Sequence, residues 1–208
     1  RPTKIPDNLV NSPNDPRILN STELLNLHKI PPKLLIIGGG YIGLEMGSVF
    51  SSFGSDVSIV EFMPSLLPGA DSDLIKPLYE KLKNKFTNIY LSTKITKIES
   101  IDAGLRTTFI DKTDSSFNEV FDNVLVSIGR KPNTEKLNLD KAEIMVDKNG
   151  FIPVNDKRQT SISNIYAIGD VTGDPMLAHK ATHEGKVAAE VISGDESSAF
   201  TPKAIPAV

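Results

Sequence analysis

The 208-residue sequence contains no cysteine and no tryptophan, and it has only three histidines. Without cysteine, residues of this chain cannot form disulfide bonds, thiolate metal sites or a cysteine nucleophile. The histidines do not combine with carboxylates at the spacing of zinc ligands, so the sequence predicts no metal site. The sequence therefore predicts neither thiol chemistry nor a metal site within these 208 residues.

Long apolar runs and a strong excess of one charge are also missing. No run approaches the roughly 20 residues of a membrane-spanning helix, and residues 1–6 carry no apolar signal-peptide region. The formal net charge of −3 argues against a nucleic-acid or anionic-membrane partner. A hydrophobic content of 39% suits a globular protein, and we expect one that is soluble and cytoplasmic.

The sequence does contain a glycine pattern between a strand and a helix. The apolar run 34–37 leads into Gly38, Gly40 and Gly43, and a helical pattern follows from about 41 to 53. In such a loop the first glycine makes a tight turn, and the second lets a pyrophosphate approach the backbone. The third lets the helix lie close on the strand. The helix would then direct its first N–H groups toward the phosphates.

An acidic residue at the end of the next apolar run completes this pattern. Glu61 follows the short β-branched run 57–60, about 20 residues beyond the loop, as in dinucleotide-binding units. A carboxylate there accepts hydrogen bonds from ribose hydroxyls and repels a 2′-phosphate. Because Phe62 and Met63 follow it, and no arginine does, the sequence predicts NAD over NADP.

The flanking segments complete an α/β pattern. Ser21 or Thr22 is the expected cap of a short first helix. A later helix includes Pro77, which fits only in a first turn, so Asp73 is favoured over Asp71 as its cap. A third parallel strand is predicted at 88–91.

The pattern then changes to alternation without an intervening helix. We predict an antiparallel meander of about three strands at 94–99, 105–111 and 117–121. A buried strand is predicted at 123–129. Further along, the sequence predicts a hairpin around Asn149-Gly150, a strand at 165–170, and a helix after Pro175 that ends at Gly194.

Four segments in this order resemble the pyridine nucleotide–disulfide oxidoreductases. They are Gly38-Gly39-Gly40-Tyr41-Ile42-Gly43-Leu44-Glu45, Val60-Glu61, residues 127–133 and residues 160–170. Within that family, residues 61–71 and 176–185 are similar to the dihydrolipoamide dehydrogenases. The resemblance covers nearly the whole chain.

The resemblance implies an architecture. Residues 1–127 would be an NAD-binding domain with an N-terminal arm, 128–195 the returning part of an FAD-binding domain, and 196–208 the start of an interface domain. The implied fold is a Rossmann-like parallel sheet with an antiparallel three-stranded meander, plus an incomplete second α/β, flavin, segment. The family's redox cysteines and its His–Glu pair are absent here, so we expect a fragment without catalytic residues.

The resemblance also implies residue roles at the nucleotide. Gly38, Gly39, Gly40, Tyr41, Ile42, Gly43, Leu44 and Glu45 would bind NAD, and Glu61 would bind the adenosine ribose. Ile95 and Gly129 would line the two ends of the nucleotide, although a core residue and a turn glycine account for them equally well. Glu45 would lie near the nicotinamide. Tyr41 matches a gating tyrosine of glutathione reductase and departs from many dihydrolipoamide dehydrogenases.

At the flavin, the resemblance assigns Asp170 to the ribityl chain. It assigns the isoalloxazine ring to the backbone of a helix N-terminus, formed by Met176, Leu177, Ala178 and His179. Without the resemblance to this family, Asp170 would be interpreted as part of a simple Gly-Asp turn. His179 and His183 are better interpreted as surface or packing histidines than as catalytic bases.

The implied parent is a homodimeric flavoprotein that oxidises dihydrolipoyl groups and passes hydride through FAD to NAD. Its partners would include the lipoyl-bearing subunits of a multienzyme complex. A glutathione or mercuric reductase-like enzyme is a second hypothesis, and it predicts a preference for NADPH. A third is a non-catalytic nucleotide-binding module.

Overall fold

The computed structural model describes residues 1–206. Residues 207 and 208, which end the predicted interface-domain strand at 204–208, lie outside the described residues. The chain divides into two compact units. The first unit comprises residues 2–130, and the second comprises residues from 131 onward together with Arg1. Among the helices of residues 1–206, none combines the length and apolarity that a membrane crossing requires.

The first unit contains two sheets and three α-helices. The strands are β1 (Ile18–Leu19), β2 (Lys33–Ile37), β3 (Asp56–Val60), β4 (Asn88–Tyr90), β5 (Lys94–Ile101), β6 (Gly104–Ile110), β7 (Ser116–Phe121) and β8 (Asn123–Val126). The helices are α1 (Ser21–Leu25), α2 (Tyr41–Ser52) and α3 (Ser72–Leu82). Strands β1, β8, β2, β3 and β4, in that order, form a parallel sheet, and β5, β6 and β7 form an antiparallel one. The predicted α/β fold with its meander is confirmed.

The central strand β2 is covered on both faces. Leu34 and Ile36 belong to the core formed with the helices, whereas Leu35 belongs to the core formed with the antiparallel sheet. All three side chains are fully buried. Successive side chains of a strand point to opposite faces, so a strand covered on both sides needs a continuous apolar run.

Helix α2 meets the sheet through small residues. Gly43 and Gly47 are buried, whereas the large apolar residues Val49 and Phe53 are exposed. A Cβ atom on Gly47 would lie 3.0 Å from Ile36 Cδ1. The glycines let the helix backbone approach β2 closely, and Leu44 and Phe50 complete the buried face of the helix.

Three local expectations in the first unit are corrected. The cap of α1 is Asn20, whose side chain accepts from the Thr22 and Glu23 N–H groups in a capping box. Helix α3 begins after Asp71 and not after Asp73, so Pro77 lies inside it and beyond its first turn. The buried strand predicted at 123–129 ends at Val126.

Strand β1 lies in the segment that the sequence predicts to be an irregular arm. Its two residues pair with β8, and the preceding turn is held by Asp15 and Arg17. The Arg17 guanidinium donates to both Asp15 carboxylate oxygens (3.0 and 2.7 Å) and to Ile101 O (3.1 Å). A two-residue strand has no periodicity for a sequence pattern to detect.

The second unit is largely irregular. It contains α4 (Ala178–Ile192) and short 3-10 helices at Leu139–Ala142 and Gly169–Thr172. The strand predicted at 165–170 is wrong, because this segment forms only an isolated bridge between Tyr166 and Gln159 and then enters a 3-10 helix. The predicted hairpin is also wrong. Its turn forms at 147–150, but residues 144–146 and 151–154 are not strands. The side chain of Asp147 accepts the turn's N–H groups, so these groups are not used for pairing between strands.

Gly43→Ala tests the contact of α2 with β2. The added Cβ would lie 2.1 Å from Gly38 O and 3.0 Å from Ser127 Oγ. We expect a loss of about 1–3 kcal/mol in the free energy of unfolding, despite the higher helix propensity of alanine. Urea denaturation followed by circular dichroism measures it. Gly40→Ala is the matched control, since nothing lies within 4 Å of its Cβ position; equal effects of the two variants would contradict the proposed contact.

Asp15→Asn tests the turn before β1. Hydrogen bonds from the Arg17 side chain hold the pKa of Asp15 well below its ordinary value of 3.8. Because the folded-state pKa is depressed, this carboxylate stabilises the fold above pH 3.8 and loses that contribution as the pH falls further. We expect the variant to be less stable at about neutral pH, with a difference that shrinks on acidification. Urea midpoints across that range measure it, and a pH-independent difference would refute the assignment.

Candidate functional site

Three parallel strands of the first unit end side by side. Ser127 follows β8 directly, Gly38 follows β2 and Glu61 follows β3. In parallel α/β sheets, ligands bind in the crevice beyond the carboxyl ends of the strands. This carboxyl edge is therefore the candidate site, and the glycine loop (residues 38–43) forms its centre.

Gly38 makes the turn out of β2 in a conformation that favours glycine. Its φ angle is +105°, and a Cβ there would lie 2.6 Å from Ser127 O. Its N–H donates to Val60 O (2.9 Å), which extends the pairing with β3 into the loop. Ser127 closes the other side, because its hydroxyl donates to Ile37 O (2.8 Å). The turn is fixed by both neighbouring strands.

Gly40 leaves open space at the N-terminus of α2. It is the N-cap residue, no side chain of the described residues caps the helix, and none of their atoms lies within 4 Å of the position of a Cβ. The first N–H groups of a helix have no partner within the helix, and its dipole favours an anion there. An uncapped helix start beside a glycine with free space suits a phosphate group.

Glu61 lies beside the loop and is held by two backbone groups. The residue is buried, with only 8% of its surface exposed. Oε2 accepts from the Gly39 N–H (2.7 Å) and Oε1 accepts from the Met63 N–H (2.8 Å). An ionised carboxylate has about four acceptor positions, so each oxygen retains capacity for a ligand hydroxyl. The charge is thus fixed in position before any ligand arrives.

The glycine loop is also held by Leu66 and Leu67, which the sequence did not predict to be site residues. Leu66 is fully buried, and its Cδ2 would lie 2.7 Å from a Cβ on Gly39. The Leu67 N–H donates to Gly39 O (2.9 Å). Together with Ser127, these residues fix the backbone of the loop. Only the apolar pair Leu66-Leu67, within an otherwise irregular segment, could have indicated this role.

The other residues predicted to bind NAD occupy different environments. Leu44 is buried in the helix-side core, and its N–H donates to Gly40 O within the helix (3.0 Å). Tyr41 and Glu45 are exposed on the first turns of α2, and Ile42 is half-buried. Leu44 therefore supports the helix, whereas Tyr41 and Glu45 remain accessible to a ligand.

Ile95 and Gly129 lie outside the loop. Ile95 is half-buried against the core of the antiparallel sheet, next to an irregularity in the pairing of β5. Gly129 lies beyond the carboxyl end of β8 with φ +127°, and its carbonyl accepts from the Thr3 N–H (3.0 Å). Their roles as contacts to the ends of the nucleotide remain predictions.

The residues predicted to bind the flavin belong to the second unit. Asp170 lies in the 3-10 helix Gly169–Thr172. Met176 and Leu177 lead into α4, which begins at Ala178 with Leu177 as an N-cap that offers no side-chain bond. The predicted helix N-terminus is therefore present at this segment.

The two histidines of α4 make local contacts. His179 Nε2 lies 2.8 Å from Pro206 O, and the His183 ring packs against Phe200 at 5.0 Å between ring centroids. Both side chains are exposed. These contacts agree with a surface and packing role.

The second unit also holds a buried charged cluster that the sequence reasoning missed. It consists of Arg158, Lys180 and Glu184, and Glu184 is fully buried. Glu184 Oε1 lies 2.8 Å from Arg158 Nη1 and 3.3 Å from Lys180 Nζ. The i, i+4 spacing of Lys180 and Glu184 was visible in the sequence, but such pairs are usually solvated. Across residues 1–206, no group of three or more His, Cys, Asp or Glu residues could hold a metal ion.

Comparisons with known proteins identify related proteins. The family model described as pyridine nucleotide-disulphide oxidoreductase matches residues 1–185. The dihydrolipoyl dehydrogenase of Vibrio cholerae serotype O1 is 47% identical over 194 residues, which is 93% of this chain and 40% of that protein. That of Buchnera aphidicola subsp. Acyrthosiphon pisum is 46% identical over the whole chain and 43% of its own length. The chain thus spans about two fifths of these relatives.

Solved structures show the same arrangement. The HOCl-induced flavoprotein disulfide reductase RclA from Escherichia coli superposes with a TM-score of 0.84 at 29% identity, over 95% of this chain and 44% of RclA. LpdA from Mycobacterium tuberculosis superposes with a TM-score of 0.81 at 25% identity, over 96% of this chain and 42% of LpdA. With the glycine loop, Glu61 and the parallel sheet in place, the chain belongs to the pyridine nucleotide-disulphide oxidoreductase family.

Proposed function

We propose that this chain is part of a dihydrolipoamide dehydrogenase, a flavoprotein that oxidises dihydrolipoyl groups and reduces NAD. Its first unit would bind NAD, and its second unit would contribute part of an FAD site. The observation that carries the proposal is the buried Glu61 carboxylate, fixed beside the open backbone of Gly40. The names of the similar proteins from Vibrio and Buchnera support the substrate class.

The carboxyl edge offers two complementary features to a dinucleotide. The uncapped start of α2 provides N–H donors and a positive dipole end for the pyrophosphate. Glu61 provides acceptors for the ribose hydroxyls of the adenosine half. Ser127, Leu66 and Leu67 hold the loop so that these groups do not have to rearrange when the nucleotide binds.

The same carboxylate favours NAD over NADP. A 2′-phosphate in place of the ribose hydroxyl would lie against a fixed, buried negative charge. Glu61 cannot easily turn away, because both oxygens are bonded to backbone N–H groups. The next two residues, Phe62 and Met63, bring no positive charge that could compensate.

For FAD, the residues of the second unit fit the implied roles. Asp170 follows a glycine at the start of a short helix, and Met176 and Leu177 lead into the N-terminus of α4, which no side chain caps and whose first backbone N–H groups begin at Ala178. When bound, the flavin and the nicotinamide supply the hydride chemistry. This chain would bind and orient them, whereas the thiol chemistry requires cysteines that its sequence does not contain.

We further propose that the intact protein is a cytoplasmic homodimer that serves lipoyl-bearing subunits of a multienzyme complex.

A glutathione or mercuric reductase-like enzyme is the second candidate. Tyr41 favours it, because this side chain is 47% exposed on the first turn of α2, where a gating tyrosine would lie over the nicotinamide pocket. That hypothesis requires NADPH, whose 2′-phosphate conflicts with Glu61. The nucleotide preference of the chain therefore separates the two candidates.

Glu61→Ala tests the ribose contact. We expect NADH to bind the 208-residue chain, and the variant to bind it about tenfold or more weakly, since charge-assisted hydrogen bonds are lost. We also expect the discrimination against NADPH to decrease, because the repelling charge is gone. Isothermal titration calorimetry with both nucleotides measures these changes.

Asp56→Ala, an exposed acidic residue at the opposite end of β3, is the matched control and is expected to leave both affinities unchanged. Tighter binding of NADPH than NADH by the unaltered chain would favour the second candidate. Equal NADH affinity of the Glu61 variant and the unaltered chain would refute the ribose contact.

Gly40→Ala tests the open space at the start of α2. The methyl group meets no protein atom within 4 Å, so the fold should tolerate it. It would occupy the region where the pyrophosphate approaches the backbone, and we expect NADH affinity to fall about tenfold or more. Calorimetry measures the affinity and thermal unfolding checks the fold. Unchanged affinity in a stable variant would place the nucleotide elsewhere.

A further inference from the structure

The buried charged cluster of the second unit is extensively hydrogen-bonded. Glu184 is fully buried, Lys180 is 5% exposed, and both lie on the inner side of α4. The second oxygen of Glu184, Oε2, accepts from the Gly169 N–H (2.6 Å). Burying an ionised carboxylate is costly unless charges and hydrogen bonds surround it, and here both are present.

Lys180 also binds the short 3-10 helix Gly169–Thr172. Its ammonium group donates to Gly169 O (3.2 Å), Thr172 Oγ1 (3.2 Å) and Gly173 O (2.8 Å). The N–H and the carbonyl of Gly169 are therefore held by two oppositely charged side chains one helical turn apart on α4. Within the described part of the chain, the segment 169–173 has no strand partner, and these bonds help to hold it in place together with the bond from the Ile152 N–H to Val171 O (2.9 Å).

Arg158 anchors the cluster to the rest of the unit. Besides Glu184, it donates to Asn155 O (2.8 Å), and its guanidinium lies 4.7 Å from the centroid of the Phe200 ring. Its backbone has φ +65°, which non-glycine residues rarely adopt. This backbone conformation costs free energy, and the surrounding structure maintains it with the guanidinium placed beside Glu184. The position of this charge is therefore important to the arrangement.

The cluster connects the two segments proposed to contact the flavin. Asp170 follows Gly169 directly, and Met176–His179 form the start of the helix that carries Lys180 and Glu184. We propose that Glu184 and Lys180 are positioning residues, which hold Asp170 at a fixed place relative to the N-terminus of α4. This inference rests on the proposed FAD site, and it adds residues that touch neither ring nor ribityl chain.

This geometry would preorganise Asp170 and the N-terminus of α4 for the flavin. A carboxylate can bind a ribityl hydroxyl while a helix N-terminus contacts the ring only if the distance between them is set in advance. The apolar packing of 169–173 comes from Val171, which lies against the small core of this unit. Charged hydrogen bonds are directional and therefore fix the segment more narrowly.

Glu184→Gln in the full-length protein that contains this chain is the test. The amide can accept through only one atom, so the Gly169 N–H or Arg158 loses its partner. We expect the dissociation constant of FAD from the apoprotein to rise about tenfold or more. We also expect the visible circular dichroism of the bound flavin to change, while NADH affinity stays the same.

Glu190→Gln is the matched control. It makes the same substitution on the same helix, at a half-buried residue that accepts from Ser198 Oγ (2.5 Å) and pairs loosely with Lys186 (3.9 Å), and should leave FAD binding unchanged. A folded Glu184 variant with the FAD affinity and flavin spectrum of the wild type would overturn the inference. So would equal effects of the two substitutions.

If Glu184→Gln does not fold, Lys180→Met/Glu184→Gln removes one charge of each sign and relieves the imbalance. We expect this double variant to fold and still to bind FAD weakly, and normal FAD affinity would overturn the inference. Asp170→Ala separates this inference from the proposed function. If that variant binds FAD normally, the proposed flavin site itself fails; if it binds weakly and Glu184→Gln binds normally, only the positioning role fails.

Discussion

The close approach of α2 to β2 is the constraint on which the first unit depends. A Cβ on Gly43 would lie 2.1 Å from Gly38 O, so only glycine permits the observed contact between the helix and the strand turn. This contact directs the helix N-terminus at the carboxyl edge, where Glu61 and Ser127 end the neighbouring strands. A helix held away from β2 would no longer place its N-terminus and the open space at Gly40 in the same position at this edge. The fold and the site are therefore one arrangement.

Each unit uses a buried carboxylate in the same physical way. Glu61 accepts the N–H of Gly39, and Glu184 accepts the N–H of Gly169, both at short distance. In each case a glycine-containing turn that lacks regular pairing is fixed by a charge-assisted hydrogen bond. The difference lies in what remains available. Glu61 stays at the open edge with capacity for a ligand, whereas Glu184 is saturated by Arg158, Lys180 and Thr172. The first can bind a ligand, and the second can only position other groups.

Family membership gives these local features a context, but the chain covers only about two fifths of its relatives. The features it holds are those of binding and orientation: a fixed carboxylate, two uncapped helix starts and glycine turns. Such groups gain their effect from being fixed before the ligand arrives.

The sequence by itself determined the parallel sheet, the meander and the glycine loop with Glu61, because these depend on local periodicity and on the spacing of glycines between a strand and a helix. It placed the chain in its family for the same reason. Only the tertiary structure decided that Gly43 and Gly47 lie on the buried side of α2, that residues 165–170 are not a strand, and that Lys180 and Glu184 are buried. A sequence pattern gives the polarity of a residue but not the partners that distant segments bring to it. Arg158 is 26 residues from Glu184, and Ser127 is 90 from Ile37, so their contacts arise only when the chain has folded.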